Sequence, residues 1–425
     1  MALVNYLTNK SFMLKALLLL LGAFYFIAGA LPKFTDYWVI TNISMAFAVD
    51  PLHFMADMSV PLPPIWMRVT FPPTFYALQG AWLWLGSHLF HYDLAVNYDL
   101  INSTFYSYSQ TSLGIFPFWG MIPILAALFL LVGIAYKELR NKWLALICFG
   151  PITFGSVIIW GQIDVVCVLF IFVSMILLQR ALKAEKFFSL LLLGYLALGV
   201  SMQFKTYGGL LLPVYAIYTL ALVRTRELDI PKSLLTLGSC LATFLVATFI
   251  VWLPYPGWFS AIILHGESNF LLRFPSPLFQ MPIWLLGYVF IVSYMAVRVL
   301  RKPLTSLRDD RYFVFDNFVI VAWFFIAVLT WSQWWMFLLP PALLVLDSFR
   351  SKYGLLFCIL ILIAYPFYPL ASRAEIFASY HIPTALMITG GAGWAFTVLA
   401  GLLLFWVFVL SKELSDKEAR SSAAT

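Results

Sequence analysis

The sequence predicts an all-α polytopic membrane protein of about twelve transmembrane helices, with a long first outer loop containing interfacial helices. Three observations carry that prediction. Of the 425 residues, 63% are hydrophobic and only 11% charged, a more apolar and less charged balance than a soluble domain carries. Apolar runs long enough to cross about 30 Å of hydrocarbon as helices recur along the chain, and no polar block is large enough to fold separately. Lysine and arginine cluster at alternate ends of those runs, as the positive-inside rule requires.

With the N-terminus in the cytoplasm, spans are expected near 13–31, 113–136, 143–160, 164–182, 187–204, 207–223, 233–253, 281–299, 313–330, 333–347, 353–370 and 387–410. The first run is span-length and lacks a convincing small-residue cleavage site before Lys33, so it is read as a retained span rather than a signal peptide. Of the 26 lysines and arginines, all but Lys33, Arg68, Lys205, Arg273 and Arg373 then fall at cytoplasmic ends. The five histidines and Asp164 fall outside. The net charge of +7 follows from this placement, without nucleic acid as a partner.

The stretch FPPTFYALQGAWLWLGSHLF, Phe71 to Phe90, is apolar enough to span. Counting it as a span would invert every later loop. It is therefore expected as a helix in the outer interface, started by Pro72 and Pro73 and rich in the aromatics that favour that zone. The outer loop 32–112 is long for a loop without a function and carries Asp36, Asp50, His53, Asp57, Arg68, His88, His91, Asp93 and Asp99. A second outer loop, 254–280, holds His265, Glu267, Asn269 and Arg273. Cys148, Cys167, Cys240 and Cys358 lie inside apolar runs and read as small buried hydrophobes. The tail after Leu410 reads as a solvated end.

Asp36, in LPKFTDYWVI, sits just beyond the first span, where a lipid-borne substrate can meet it. Tyr37 and Trp38 would partly desolvate its carboxylate, which suits a general base working near neutrality; the same acid also fits an interfacial helix end. In WGQIDVV, Asp164 opens a span after a short turn, so its carboxylate suits the positive end of that helix. With Trp160 and Gln162 it also supplies a ring, an amide and an acid fit to orient a sugar or a second acid. Lys205, in MQFKTYGG, breaks an apolar run and either snorkels to the interface or meets a lipid phosphate. Arg273 and Arg68 are competing anion binders. The chain has no Walker loop, dinucleotide glycine fingerprint or zinc-spaced His/Cys set, so no soluble cofactor is expected.

TDYW, FPPTFYAL, YSYSQ, WGQID and QFKTYGG, in that order, resemble the GT-C superfamily of membrane glycosyltransferases. The similarity is to polyprenyl-phosphate-sugar-dependent hexosyltransferases, including dolichyl-phosphate-glucose glucosyltransferases and bacterial mannosyltransferase relatives. It covers roughly residues 10–225. A single membrane domain, 1–425, follows, with 1–225 as the family-like module and 226–425 matching only in layout. The resemblance implies an inverting transfer of a hexose from a polyprenyl-phosphate donor to a lipid- or glycan-linked acceptor hydroxyl on the outer or lumenal face. It maps the catalytic base onto Asp36, a site acid onto Asp164 and a donor-phosphate lysine onto Lys205. Trp160, Gln162, His265, Glu267, Arg68 and Arg273 complete the expected substrate-binding set. Many relatives carry two acids at the first position, whereas Asp36 stands alone. No metal ligand is assigned, and a divalent ion stays open. A bacterial plasma membrane is the preferred location, the endoplasmic reticulum the alternative.

The competing reading is a polytopic lipid or solute transporter or flippase. Transporters keep ionisable groups or broken helices near the bilayer midplane, whereas charges here fall in loops or near span ends. A non-catalytic scaffold would need neither Asp36 nor a phosphate-binding cation.

Overall fold

An apolar run that must match all its backbone polar groups within one segment has the helix as its only local solution. The computed structural model follows that rule: it describes residues 10–30, 41, 44–45, 47–50, 73–91, 115–159, 161–184, 187–252, 283–327, 332–367 and 391–423, and among these the regular structure is helical, with no strand. The longer helical segments are α1 (Lys10–Ala28), α2 (Pro73–Phe90), α3 (Ile115–Glu138), α4 (Lys142–Ile159, its first part, Lys142–Phe149, a 3-10 helix), α5 (Asp164–Lys183), α6 (Phe188–Phe204), α7 (Leu212–Arg224), α8 (Ile230–Trp252), α9 (Ile283–Arg301), α10 (Asp310–Ala327), α11 (Leu339–Phe349), α12 (Lys352–Ala364) and α13 (Gly391–Ala423), with shorter helical turns at Thr206–Leu211, Leu304–Leu307 and Ser332–Leu338.

Six helical segments are long and apolar enough to cross a membrane: Lys10–Ala28, Phe118–Glu138, Lys142–Ile159, Asp164–Lys183, Thr206–Arg224 and Thr397–Lys417. They mark a membrane protein. Phe188–Phe204, Ile230–Val246, Trp335–Phe349 and Lys352–Ala364 are apolar but shorter. The helix expected at Phe71 to Phe90 is present from Pro73 and is not among the six. Exposed Leu19, Leu20 and Ile27 on α1, and Phe405 and Phe408 on α13, are the kind of surface that lipid covers. The four cysteines are buried, and none is joined in a disulfide. The end expected to be solvated after Leu410 is helical, α13 running on to Ala423, with Ser411, Lys412, Ser415 and Asp416 exposed along it.

The chain forms two units that interleave along the sequence. Unit 1 comprises Met1–Leu169, Val200–Thr206 and Ala242–Ser268, and unit 2 comprises Phe170–Gly199, Tyr207–Leu241 and Asn269–Thr425. In unit 1, Tyr25 of α1 donates to Gly150 O at 3.2 Å and packs on Phe149 and Phe154. Helix α2 docks on α3 through two indoles stacked 4.4 Å apart, Trp82 and Trp119, each N–H donating to the other's backbone carbonyl at 2.9 Å. A side chain at Gly86 would collide with that pair, its Cβ lying 2.3 Å from Trp119 Nε1.

Unit 2 is held by hydroxyls and small residues. Ser174 donates to Gly194 O at 2.6 Å, and Tyr195 bonds Thr219 at 2.8 Å. Gly287 lets α9 approach Trp323. Ser351 caps α12, accepting from Gly354 N at 3.0 Å and donating to Glu413 of α13 at 2.5 Å. Lys417 of α13 bonds Asp309, ahead of α10.

Candidate functional site

The local fold around Asp164 departs from a regular helix. Gly150 and Pro151 interrupt α4, and its last part, Phe154–Ile159, is wound as a π-helix, a form that recurs at functional sites. Gln162 N donates to Ser156 O at 2.9 Å and closes this wide turn. Gly161 has φ 61°, which explains the glycine of WGQID: a left-handed residue is needed to reverse the chain there. Asp164 then starts α5, as the sequence leads one to expect.

Forty-one residues later the chain leaves α6 at Lys205, whose N–H bonds Ser201 O at 3.1 Å. Its Nζ lies 2.7 Å from Asp164 Oδ1. Both side chains are nearly removed from solvent, 10% and 0% exposed for Lys205 and Asp164. The Cys167 thiol, one turn into α5, reaches Lys205 O at 3.5 Å. A pair so buried loses much of its hydration and keeps its charges only through mutual attraction and hydrogen bonding. Asp164 Oδ2 has no hydrogen-bond partner among the described residues, so one acceptor of a buried carboxylate remains unmatched.

This arrangement sharpens the roles expected of the two residues. Lys205 is already neutralised by Asp164, so a phosphate would meet a pair of near-zero net charge rather than a bare ammonium. The unmatched Oδ2 suits a ligand that donates, such as a sugar hydroxyl. Gln162 lies two residues from Asp164, beside the same turn, and the structure brings Gln162, Asp164 and Lys205 into one unit. Asp36, Trp160, Arg68, His265, Glu267 and Arg273 lie outside the described residues.

Sequence reading gave no role to a second buried charge network, in unit 2. Asp316, two turns inside α10 and fully buried, accepts from the Tyr218 hydroxyl at 2.9 Å on Oδ2 and from the Arg298 guanidinium on Oδ1. The signal was available in RYFVFDNF, where an acid and an amide interrupt an apolar run and must find partners on neighbouring helices. Gln203, beside Lys205, gave a signal of the same kind.

Comparison with protein families, curated proteins and solved structures finds no match.

Proposed function

We propose that this chain is a multi-pass membrane glycosyltransferase that moves a hexose from a polyprenyl-phosphate donor to an acceptor hydroxyl, as the resemblance to the GT-C superfamily implies. In this reading its helices make twelve crossings with both termini in the cytoplasm. The site faces the outer or lumenal side of a bacterial plasma membrane or the endoplasmic reticulum. The observation that carries the reading is the buried Asp164–Lys205 pair with its one unmatched carboxylate oxygen. It couples an acceptor for a sugar hydroxyl to a cation, beside a π-helical turn.

Asp36 takes the proton of the acceptor hydroxyl, and the oxygen attacks the anomeric carbon opposite the lipid phosphate. The new C–O bond forms as the bond to phosphate breaks, and polyprenyl phosphate leaves with the electron pair. Lys205, shared with Asp164, and Arg273 or Arg68 face the charge growing on the phosphate. Asp164, Gln162 and Trp160 orient the sugar, with His265 and Glu267 as further binding groups. Inversion at the anomeric carbon follows from the single displacement.

The test is purified protein incubated with a panel of polyprenyl-phosphate sugars, with products identified by mass. Transfer from at least one donor is expected. Asp36→Asn should then lose on the order of a hundred- to ten-thousand-fold in rate, the usual cost of a missing general base, while remaining folded and still binding donor. Asp164→Asn should retain more turnover than Asp36→Asn. Full activity in Asp36→Asn would remove Asp36 as the base.

A transporter is the second reading, favoured by one observation: Asp316, wholly buried within α10, together with Arg298 and Tyr218. Movement of lipid or solute across vesicles holding the purified protein, without any new glycosidic product, would favour it.

A further inference from the structure

Gln203 lies in the last turn of α6, two residues before Lys205, and is 5% exposed. An amide in an apolar helical run must match one acceptor and two donor hydrogens or leave them stranded. Here all are matched across three elements of unit 1. Oε1 accepts from Thr74 Oγ1, in the first turn of α2, at 2.5 Å. Nε2 donates to Phe244 O at 2.8 Å and to Thr243 O, both in the second half of α8. The two accepting carbonyls are helix carbonyls, so the amide grips the α8 backbone itself and cannot be displaced by a side-chain rotation there.

Lys205 follows just past the end of α6, its N–H making the last rung of the ladder. Its backbone is tied by Ser201 behind it and by the Cys167 thiol on its carbonyl. Where the ammonium arrives therefore depends on where the end of α6 is held, and the Gln203 amide links that end to α2 and α8. From this geometry we infer that Thr74 and Gln203 are positioning residues that set Lys205 against Asp164, acting through that pair rather than by touching substrate. The kinetic consequence rests on the glycosyltransferase reading; the positioning itself does not. A displacement of about 1 Å in a charged group facing a reacting centre is enough to cost about a hundredfold.

Two measurements test this on the purified full-length protein. The first is acylation of Lys205 by an amine reagent, followed by mass spectrometry. Thr74→Val removes the hydroxyl at nearly constant shape, and Gln203→Met removes the amide. Each should speed Lys205 acylation on the order of tenfold, the loss of about one hydrogen bond of restraint. Thr74→Ser, which keeps the hydroxyl, should label like wild type. Lys183, paired with Asp310 in unit 2, should label equally in all four proteins, whereas general unfolding would raise it too. Should Gln203→Met not fold, Thr74→Val against Thr74→Ser decides alone. Lys205 acylation equal in wild type and Thr74→Val overturns the inference.

The second is the transfer assay with donor and acceptor varied separately. Thr74→Val should lower kcat/KM for the donor severalfold through a raised donor KM, leave the acceptor KM unchanged, and be rescued by Thr74→Ser. A residue that only stabilises the fold lowers the active fraction, hence kcat, and leaves both KM values in place; that result overturns the inference. Wild-type protein that transfers no sugar sinks the glycosyltransferase reading, and the Lys205 labelling then decides the positioning role by itself.

Discussion

Among the described residues each unit holds a wholly buried acid paired with a base, Asp164 in unit 1 and Asp316 in unit 2, and the two differ in how completely the acid is matched. In unit 2, Asp316 uses both oxygens, one for the Tyr218 hydroxyl and one for Arg298, while Arg298 Nε is left without a hydrogen-bond partner among the described residues. In unit 1, Asp164 uses Oδ1 for Lys205 and leaves Oδ2 unmatched. A carboxylate with both oxygens committed behaves as a fastener between helices, because any new donor must first displace an existing one. A carboxylate with one oxygen free of donors is costly to bury and gains when a donor arrives. Incomplete matching, rather than burial or charge, separates the candidate site from the structural network.

The largest effect should come from removing one partner of either pair. Lys205→Met and Arg298→Met each strand a buried carboxylate, and each should destabilise the protein by about 3–5 kcal/mol in detergent unfolding measurements. A Lys205→Met protein as stable as wild type would mean that Asp164 does not depend on that lysine, and the comparison would fail.

Removing both partners should set the units apart. Asp164→Leu with Lys205→Met takes away charge and counter-charge together and should recover stability to within about 1 kcal/mol of wild type, since apolar replacement of a buried pair is often neutral. Asp316→Leu with Arg298→Met still strands the Tyr218 hydroxyl and should remain about 1–3 kcal/mol below wild type. Equal recovery in both would erase the distinction between site and fastener. On the glycosyltransferase reading proposed above, sugar transfer should be lost in the first double variant despite its stability.

A smaller change acts on unit 1 without touching any charge. Gly86→Ala drives a methyl into the stacked Trp119 and should cost about 1–3 kcal/mol by overpacking, whereas Gly133→Ala, with nothing within 4 Å of its added Cβ, should cost none.

The smallest effect concerns the exposed side of unit 2. Burial alone would raise the Asp309 carboxyl, but the hydrogen bond from Lys417, the Arg311 amide and the charges of both outweigh it and hold the group below its ordinary value of 3.8. Because the folded value is depressed, this contribution to stability is complete above about 3.8 and disappears as pH falls through the lower folded value. The stability difference between wild type and Asp309→Asn should therefore be flat from about pH 7 to about pH 5 and shrink in more acid solution. A difference that grows on acidification would reverse the assignment.

How much of this was legible in the sequence depended on whether the information runs along the chain or across it. Helix positions follow from apolar runs, and the start of α2 follows from Pro73, because both are local. Asp164 and Lys205 stood out singly for the same reason, each interrupting an apolar stretch. Their union did not, since 41 residues separate them and only the rotation of α5 and α6 about their axes brings the two charges together. The partners of Gln203 were hidden similarly: two are backbone carbonyls, and backbone acceptors leave no mark on composition. The π-helix before Gly161 was invisible because its extra residue per turn changes no hydropathy average. The continuation of α13 past Leu410 was missed because a polar stretch was read only as a solvated end, although Glu413 and Lys417 are bound to Ser351 and Asp309.

That continuation has a geometric consequence. Thirty-three residues at about 1.5 Å of rise make α13 about 50 Å long, against about 30 Å of hydrocarbon. About 20 Å of rod is left over. Because Glu413 and Lys417 are tied to Ser351 and Asp309, the residues just ahead of α12 and α10, the stretch of α13 past Leu410 is braced within unit 2 rather than held by its own backbone alone. A spectroscopic label on an exposed position of that stretch, such as Ser415, would report on the two ties directly, because releasing either one frees the same few turns.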